Sequence, residues 1–114
     1  MDIENSKQQM RKGILEFAIL NIIYTDTECY ASEIIERMKS SRLIVVEGTL
    51  YPILTRLKND GFLIYKWVES KSGPPRKYYK LTELGEKFLS ELQKTWNELV
   101  EAVSLTTKNS DNHE

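Results

Sequence analysis

Residues 48–82, GTLYPILTRLKNDGFLIYKWVESKSGPPRKYYKLT, constrain the fold of this chain more than any other stretch. Leu50, Ile53, Leu54 and Leu57 share one helical face, because residues three and four apart lie one above the other. That spacing predicts a helix over residues 47–60, closed by Gly61 as a left-handed cap. Pro52 is expected near the helix start, where backbone amides lack intrahelical partners. Residues 62–68, FLIYKWV, are aromatic and β-branched, which predicts a strand. Ser72-Gly73-Pro74-Pro75 predicts a turn outside the ladder, since proline has no N–H to donate. Residues 76–81, RKYYKL, return as the second strand. The unit is a helix followed by a basic hairpin.

Upstream, residues 31–40 predict another helix. Ile34, Ile35 and Met38 face inward, and Tyr30 packs one turn earlier. Residues 42–46 are a connection or a short strand. Helix, short connection, helix and hairpin together define a helix-turn-helix with a wing. The predicted fold class is therefore α+β, mainly α: a winged helix-turn-helix with a long C-terminal helix.

The two ends of the chain point to a second subunit. Residues 10–24 predict a helix that is apolar almost all round, hence buried on more than one side. Thr82 reads as an N-cap, with Glu83 and Glu86 in the first turn. The helix that follows is expected over residues 83–106. Leu84, Phe88, Leu92, Trp96, Leu99 and Val103 form its stripe, about six turns long. A partner copy is the economical cover for that stripe. Ile14, Phe17, Leu20, Phe88, Leu92, Trp96, Leu99 and Val103 are the expected interface of a homodimer. The organisation is then a winged domain over residues 1–81, which includes the 10–24 helix, a dimerisation helix over 82–107, and a disordered tail over 108–114.

The chain carries 16 Lys+Arg and 17 Asp+Glu, a net charge of -1. The distribution is uneven. Residues 1–41 hold five basic and seven acidic side chains, and residues 81–114 hold three and seven. Residues 42–80 hold eight basic against three acidic, a local charge of +5. Phosphate contacts need local positive potential, not a basic protein as a whole. The expected partner is double-stranded DNA.

In such a fold the N-terminal half of the third helix enters the major groove. Thr49 and Tyr51 then reach phosphates or bases by their hydroxyls, and Pro52 and Thr55 lie on or beside the same face. Arg56 and Lys58, further along, are expected to meet phosphate. No guanine-reading arginine stands in the first turn, so specificity is expected to be shared with DNA shape and the wing. Lys71, Arg76, Lys77 and Tyr78 are the wing candidates. Side chains alternate along a strand, so one of each pair Arg76-Lys77 and Tyr78-Tyr79 faces the core and the other the nucleic acid. The prolines stiffen the tip and lower the entropy cost of docking it. The rival reading is a winged helix used as a protein–protein interaction module.

Other classes find no support in the pattern. There is no glycine-rich phosphate loop and no nucleophile elbow. Glu83, Glu86, Glu91, Glu98 and Glu101 form a charged helical surface. His113 and Cys29, the single histidine and cysteine, leave no metal constellation, and no cofactor is expected. Cys29 has no partner for an internal disulfide, which fits a reducing cytoplasm. The apolar run over 14–24 is interrupted by Glu16 and Asn21 and is too short to span a membrane. Residues 1–9 are polar and mixed in charge, unlike a signal peptide.

GTLYPILTRLKNDGFLI followed by SGPPRKYYKLTELG resembles the PadR family of bacterial transcriptional repressors, in its short form with one C-terminal helix. The resemblance covers about residues 10–105. It implies a winged-helix homodimer joined by its first and last helices, a two-fold operator, and release by a small aromatic or cationic effector. Tyr30 with Glu33-Ile34 resembles the second-helix motif of the family, with Ala31 where glycine is common. Val45 and Val46 stand where a polar cap is usual. Trp96 lies the same distance after LTE as a tryptophan of the multidrug-sensing branch, whose two copies sandwich flat ligands across a central pore. That likeness implies a ligand site at Trp96, with Phe17, Glu16 and Asn21 lining it. Leu92 and Phe17 are bulkier than the residues of that branch, so the pore is either open or filled by them. Interface packing is the alternative role of Trp96.

Overall fold

The computed structural model describes residues 2–111, with side chains to residue 107. The elements are α1 (Ile3–Lys12), α2 (Leu15–Thr25), α3 (Ala31–Ser40), α4 (Glu47–Asn59), β1 (Leu63–Ser70), β2 (Gly73–Leu81) and α5 (Glu83–Asp111). The fold is a winged helix-turn-helix with a long last helix, mainly helical, with one two-stranded antiparallel sheet.

The helix expected over 10–24 is two helices, and the first begins well before Met10. Its signals are local. Asp2 Oδ1 accepts from the Asn5 N–H at 3.0 Å, Glu4 sits in the first turn, and Arg11 and Lys12 sit in the last. Each complements the helix dipole. Gly13, the poorest helix former in the run, ends it. α1 buries no residue, whereas α2 buries Ile19, Leu20, Ile22 and Ile23. Leu20 requires a correction. Expected at a subunit interface, it is 0% exposed within the core of the chain itself, which leaves no surface for a partner.

Around α2 the core gathers Ile34 and Met38 from α3, Leu50, Leu54 and Leu57 from α4, Leu63, Tyr79 and Leu81 from the hairpin, and Leu89 from α5. The turn between α3 and α4 is held by backbone bonds. Leu43 N–H donates to the Met38 carbonyl at 2.8 Å and Arg42 N–H to Lys39 at 3.0 Å, with Arg42 at φ 65°. This is a Schellman cap on a residue other than glycine, at a cost of about 1 kcal/mol. α4 ends the same way on Gly61, φ 86°, as the sequence predicts. Phe62 N–H donates to Leu57 at 2.9 Å and Gly61 N–H to Lys58 at 3.0 Å.

Thr82 joins α4 to α5. Its hydroxyl accepts from the Gly85 N–H at 2.9 Å and donates to the Gly61 carbonyl at 2.6 Å. Gly85 permits the approach: a Cβ there would lie 2.1 Å from the Phe62 carbonyl oxygen. Phe88 then stacks on Phe62 with ring centroids 4.0 Å apart. α5 continues to Asp111, so residues 108–111 are helical and not tail. The expectations for residues 112–114, His113 included, lie outside the described residues.

The hairpin pairs Leu63 with Leu81, Tyr65 with Tyr79 and Trp67 with Lys77. Its turn is Lys71-Ser72, earlier than expected. Pro74 and Pro75 belong to β2, which corrects the reading that they stand outside the strand. A two-stranded ribbon has two edges, so their missing amides need not break a ladder, and the pairing is irregular between Val68 and Ser70. Nearer the core the same edge is occupied. Cys29 N–H donates to the Tyr79 carbonyl at 3.1 Å and Tyr79 N–H to the Cys29 carbonyl at 2.8 Å.

Candidate nucleic-acid interface

At about 100° per residue, the buried Leu50, Leu54 and Leu57 define the inner face of α4. Gly48, Pro52, Thr55 and Asn59 then occupy the middle of the outer face. Glu47, Tyr51 and Lys58 fall on the flank toward the wing. Thr49 and Arg56 fall on the flank toward α1 and α2. The contacts agree with this wheel. Tyr51 and Glu47 line a groove of about 350 Å3 with Tyr30, Trp67, Arg76 and Lys77. Thr49 lines a second hollow with Arg11, Lys12 and Val46.

Pro52 stands in the second turn of α4, not the first, because the helix starts at Glu47. Lacking an N–H, it leaves the Gly48 carbonyl without an intrahelical partner, on the outer face. Arg56 and Lys58, expected to act alike, are separated. The Arg56 guanidinium donates to the Glu16 carboxylate of α2 in an ion pair. Lys58 lies over the Tyr65 ring at 5.9 Å.

The wing cations rest on aromatic rings from opposite faces of the hairpin. Arg76 Cζ sits 4.4 Å from the centroid of Tyr30. Lys77 Nζ sits 4.5 Å from Tyr65 and 5.3 Å from Trp67. Such contacts favour a cation over a ring face and restrict its rotamers. Among the described residues no carboxylate pairs with either cation. Lys71 is exposed at the turn. Tyr78 is half-buried, edge-on to Tyr30 at 4.9 Å. It braces Tyr30, while Tyr79 fills the core as alternation requires. The phenol pKa of Tyr79 is raised, first by burial.

Sequence reasoning missed the platforms Tyr30, Tyr65 and Trp67, and the approach of Arg11 and Lys12 to Thr49. Pairing register would have found Trp67 opposite Lys77. The Tyr30 contact depends on the Cys29–Tyr79 bridge, which has no sequence signal.

Two of the residues predicted for a ligand site, Phe17 and Trp96, meet: they lie 6.2 Å apart with rings inclined at 42°. Asn21 follows Phe17 by one turn, and Leu92 precedes Trp96 by one turn; both are half-buried. Glu16, beside Phe17, turns instead to Arg56. Ile14 is half-buried. Phe88 spends a face on Phe62. Trp96, Leu99 and Val103 remain 38%, 53% and 66% exposed.

Cys29 is buried. Burial, followed by the charges of Asp26 and Glu33, pushes its thiol up to about 12 from 9.0, against the opposing Arg37. The neutral thiol is unreactive. Among the described residues no group of three or more His, Cys, Asp or Glu is placed to hold a metal, and no helix is long and apolar enough to cross a membrane.

A helix-turn-helix whose last helix lies exposed beside a basic wing is the arrangement of a DNA-binding regulator. Residues 19–91 match the Transcriptional regulator PadR-like family, and the chain belongs to it. A PadR-like transcription factor from Bacteroides fragilis is 59% identical, covering 90% of this chain and 99% of its own, with a TM-score of 0.75. A PadR-like regulator from Bacillus cereus is 36% identical over 93% of this chain and 99% of its own, with a TM-score of 0.70. A PadR-family regulator from Eggerthella lenta superimposes with a TM-score of 0.84 at 26% identity, covering 91% of this chain and 90% of its own. An uncharacterised protein of Lysinibacillus sphaericus is 33% identical over 97 residues, 82% of this chain and 88% of its own.

Proposed function

We propose that this regulator is a repressor that binds a two-fold operator as a homodimer. α4 enters the major groove through Thr49, Tyr51, Pro52 and Thr55. Lys58, Arg76 and Lys77 meet the backbone on the wing side. The observation that carries this reading is the seating of Arg76 and Lys77 on aromatic rings beside Tyr51, without carboxylate partners among the described residues. The exposed Trp96, Leu99 and Val103 support the dimer, because apolar surface at that spacing is stabilised by a second copy. The Phe17–Trp96 pair supports a small planar aromatic or cationic effector, since indole faces attract such groups. Binding there alters the separation of the two α4 helices and hence the fit to two half-sites.

Salt dependence tests the DNA reading. With Lys58, Arg76 and Lys77 on phosphate in both subunits, log affinity falls with log salt at a slope of about -5. A rise from 50 to 200 mM salt then weakens binding to the DNA upstream of its own gene by about a thousandfold. Salt-independent behaviour, or no binding, favours the protein–protein module.

A further inference from the structure

α4 carries two cations, Arg56 and Lys58, on opposite flanks of its outer face. The major groove is about 12 Å wide and admits one helix of about that diameter, so cations on the two flanks address the two phosphate backbones. Lys58 faces the wing side and lies over Tyr65. Arg56 faces the α2 side, where Glu16 holds it across 40 residues of sequence. Both partners are part-exposed, at 49% and 28% of their side chains. The guanidinium is therefore within reach of solvent but its charge is cancelled.

We propose that Glu16 withholds Arg56 from phosphate and so limits the sequence-independent affinity of the protein for DNA. Phosphate contacts strengthen binding to every sequence alike. Cancelling one cation on each recognition helix lowers the affinity for competing genomic DNA and leaves base contacts from Thr49 and Tyr51 untouched. The pair is a device for specificity, and Glu16 is the residue that sets it. The inference rests on the DNA-binding reading, which the wild-type protein tests separately.

The test uses Glu16→Gln, which keeps the shape of the side chain and removes its charge. The full chain is titrated into a labelled mixed-sequence duplex, followed by anisotropy, at several salt concentrations. Four proteins are compared: wild type, Glu16→Gln, Arg56→Gln and the double variant. Glu16→Gln binds tighter, and its salt slope is steeper by about 0.9 per subunit. Between 50 and 200 mM salt it therefore loses about 3- to 4-fold more affinity per subunit than wild type. Arg56→Gln leaves the Glu16 carboxylate unpaired and binds no tighter than wild type, and the double variant, neutral at both positions like the wild-type pair, returns to the wild-type value. A gain of binding cannot come from misfolding. Equal binding by Glu16→Gln and wild type overturns the proposal. So does an equal gain, with an equally steepened salt slope, in the Arg56→Gln background, which is mere loss of a negative charge. So does an Arg56→Gln salt slope flatter than that of wild type by about 0.9 per subunit, which places Arg56 on phosphate already. Wild type that binds no duplex at low salt sinks the DNA reading itself, and this inference with it.

Discussion

Replacing Tyr30 with leucine isolates the order of a wing cation from its charge. The Arg76 guanidinium lies 4.4 Å from the Tyr30 ring, and Tyr78 braces that ring edge-on. The backbone N–H of Tyr30 donates to Glu33 Oε1 at 3.1 Å, so the start of α3 keeps its cap when the side chain changes. An exposed cation–π contact contributes about 0.5–1 kcal/mol. Two wings in the proposed dimer make that about 1–2 kcal/mol, a loss of about 5- to 30-fold in DNA affinity. The salt slope stays at the wild-type value, because Arg76 keeps its charge. Arg76→Ala behaves differently: it flattens the slope by about 0.9 per wing. Tyr30→Phe keeps the ring and binds within about twofold of wild type, since the contact is to the ring face. Anisotropy titrations across salt, with melting curves to confirm folding, measure all three. The reasoning fails if Tyr30→Phe is as weak as Tyr30→Leu. It fails equally if Tyr30→Leu weakens binding further in an Arg76→Ala background.

Gly85→Ala forces a methyl group against the Phe62 carbonyl and costs about 1–3 kcal/mol or more as overpacking; an unchanged urea midpoint would show that α5 can shift at no cost. Cys29 makes the fold alkali-sensitive. Its thiol ionises near 9.0 when unfolded but near 12 in the native protein, so its contribution is complete below pH 9 and is lost as pH rises toward 12. Wild type therefore loses more stability than Cys29→Ala between neutral pH and about pH 10.5, and parallel losses in the two proteins contradict the assignment. Leu99→Asp places a charge on the exposed apolar stripe of α5 and converts the proposed dimer to monomer in sedimentation; an unchanged profile removes that stripe from the proposed interface. A planar cationic dye quenches tryptophan fluorescence in the wild type and far less in Trp96→Ala; equal quenching locates the dye at Trp67 or elsewhere.

The parts of this fold legible in the sequence are those with local causes. The α4 stripe, the Gly61 cap and the aromatic first strand each depend on residues a few positions apart. α1 was equally local, with Asp2, Glu4, Arg11, Lys12 and Gly13 in the right places, but the stronger apolar pattern beyond Met10 overrides it when the run is read as one helix. Proline in β2 defeats a rule made for central strands, because a hairpin wing has only edges. The remaining surprises are long-range. Nothing near Arg56 in sequence points to Glu16. Nothing near Arg76 points to Tyr30 until Cys29 is known to bridge β2. Leu20 shows the converse: an apolar helix does not reveal which of its sides meets the core and which a partner.

α2 is where these long-range contacts converge, and its neighbours in sequence face different tasks. Leu20 is committed to the core. Phe17 turns to Trp96 of α5, the proposed effector site. Glu16, one residue earlier, turns to Arg56 of α4. Adjacent helical residues point about 100° apart, so one rigid helix presents both contacts at once. A ligand that displaced the Phe17 ring would move the backbone that carries Glu16, and with it the charge state of the recognition helix. Reciprocity follows for any such coupling of equilibria. DNA that drew Arg56 away from Glu16 would change dye affinity at Trp96 by the same factor, and Glu16→Gln, which removes the link, would abolish that dependence while leaving dye binding intact.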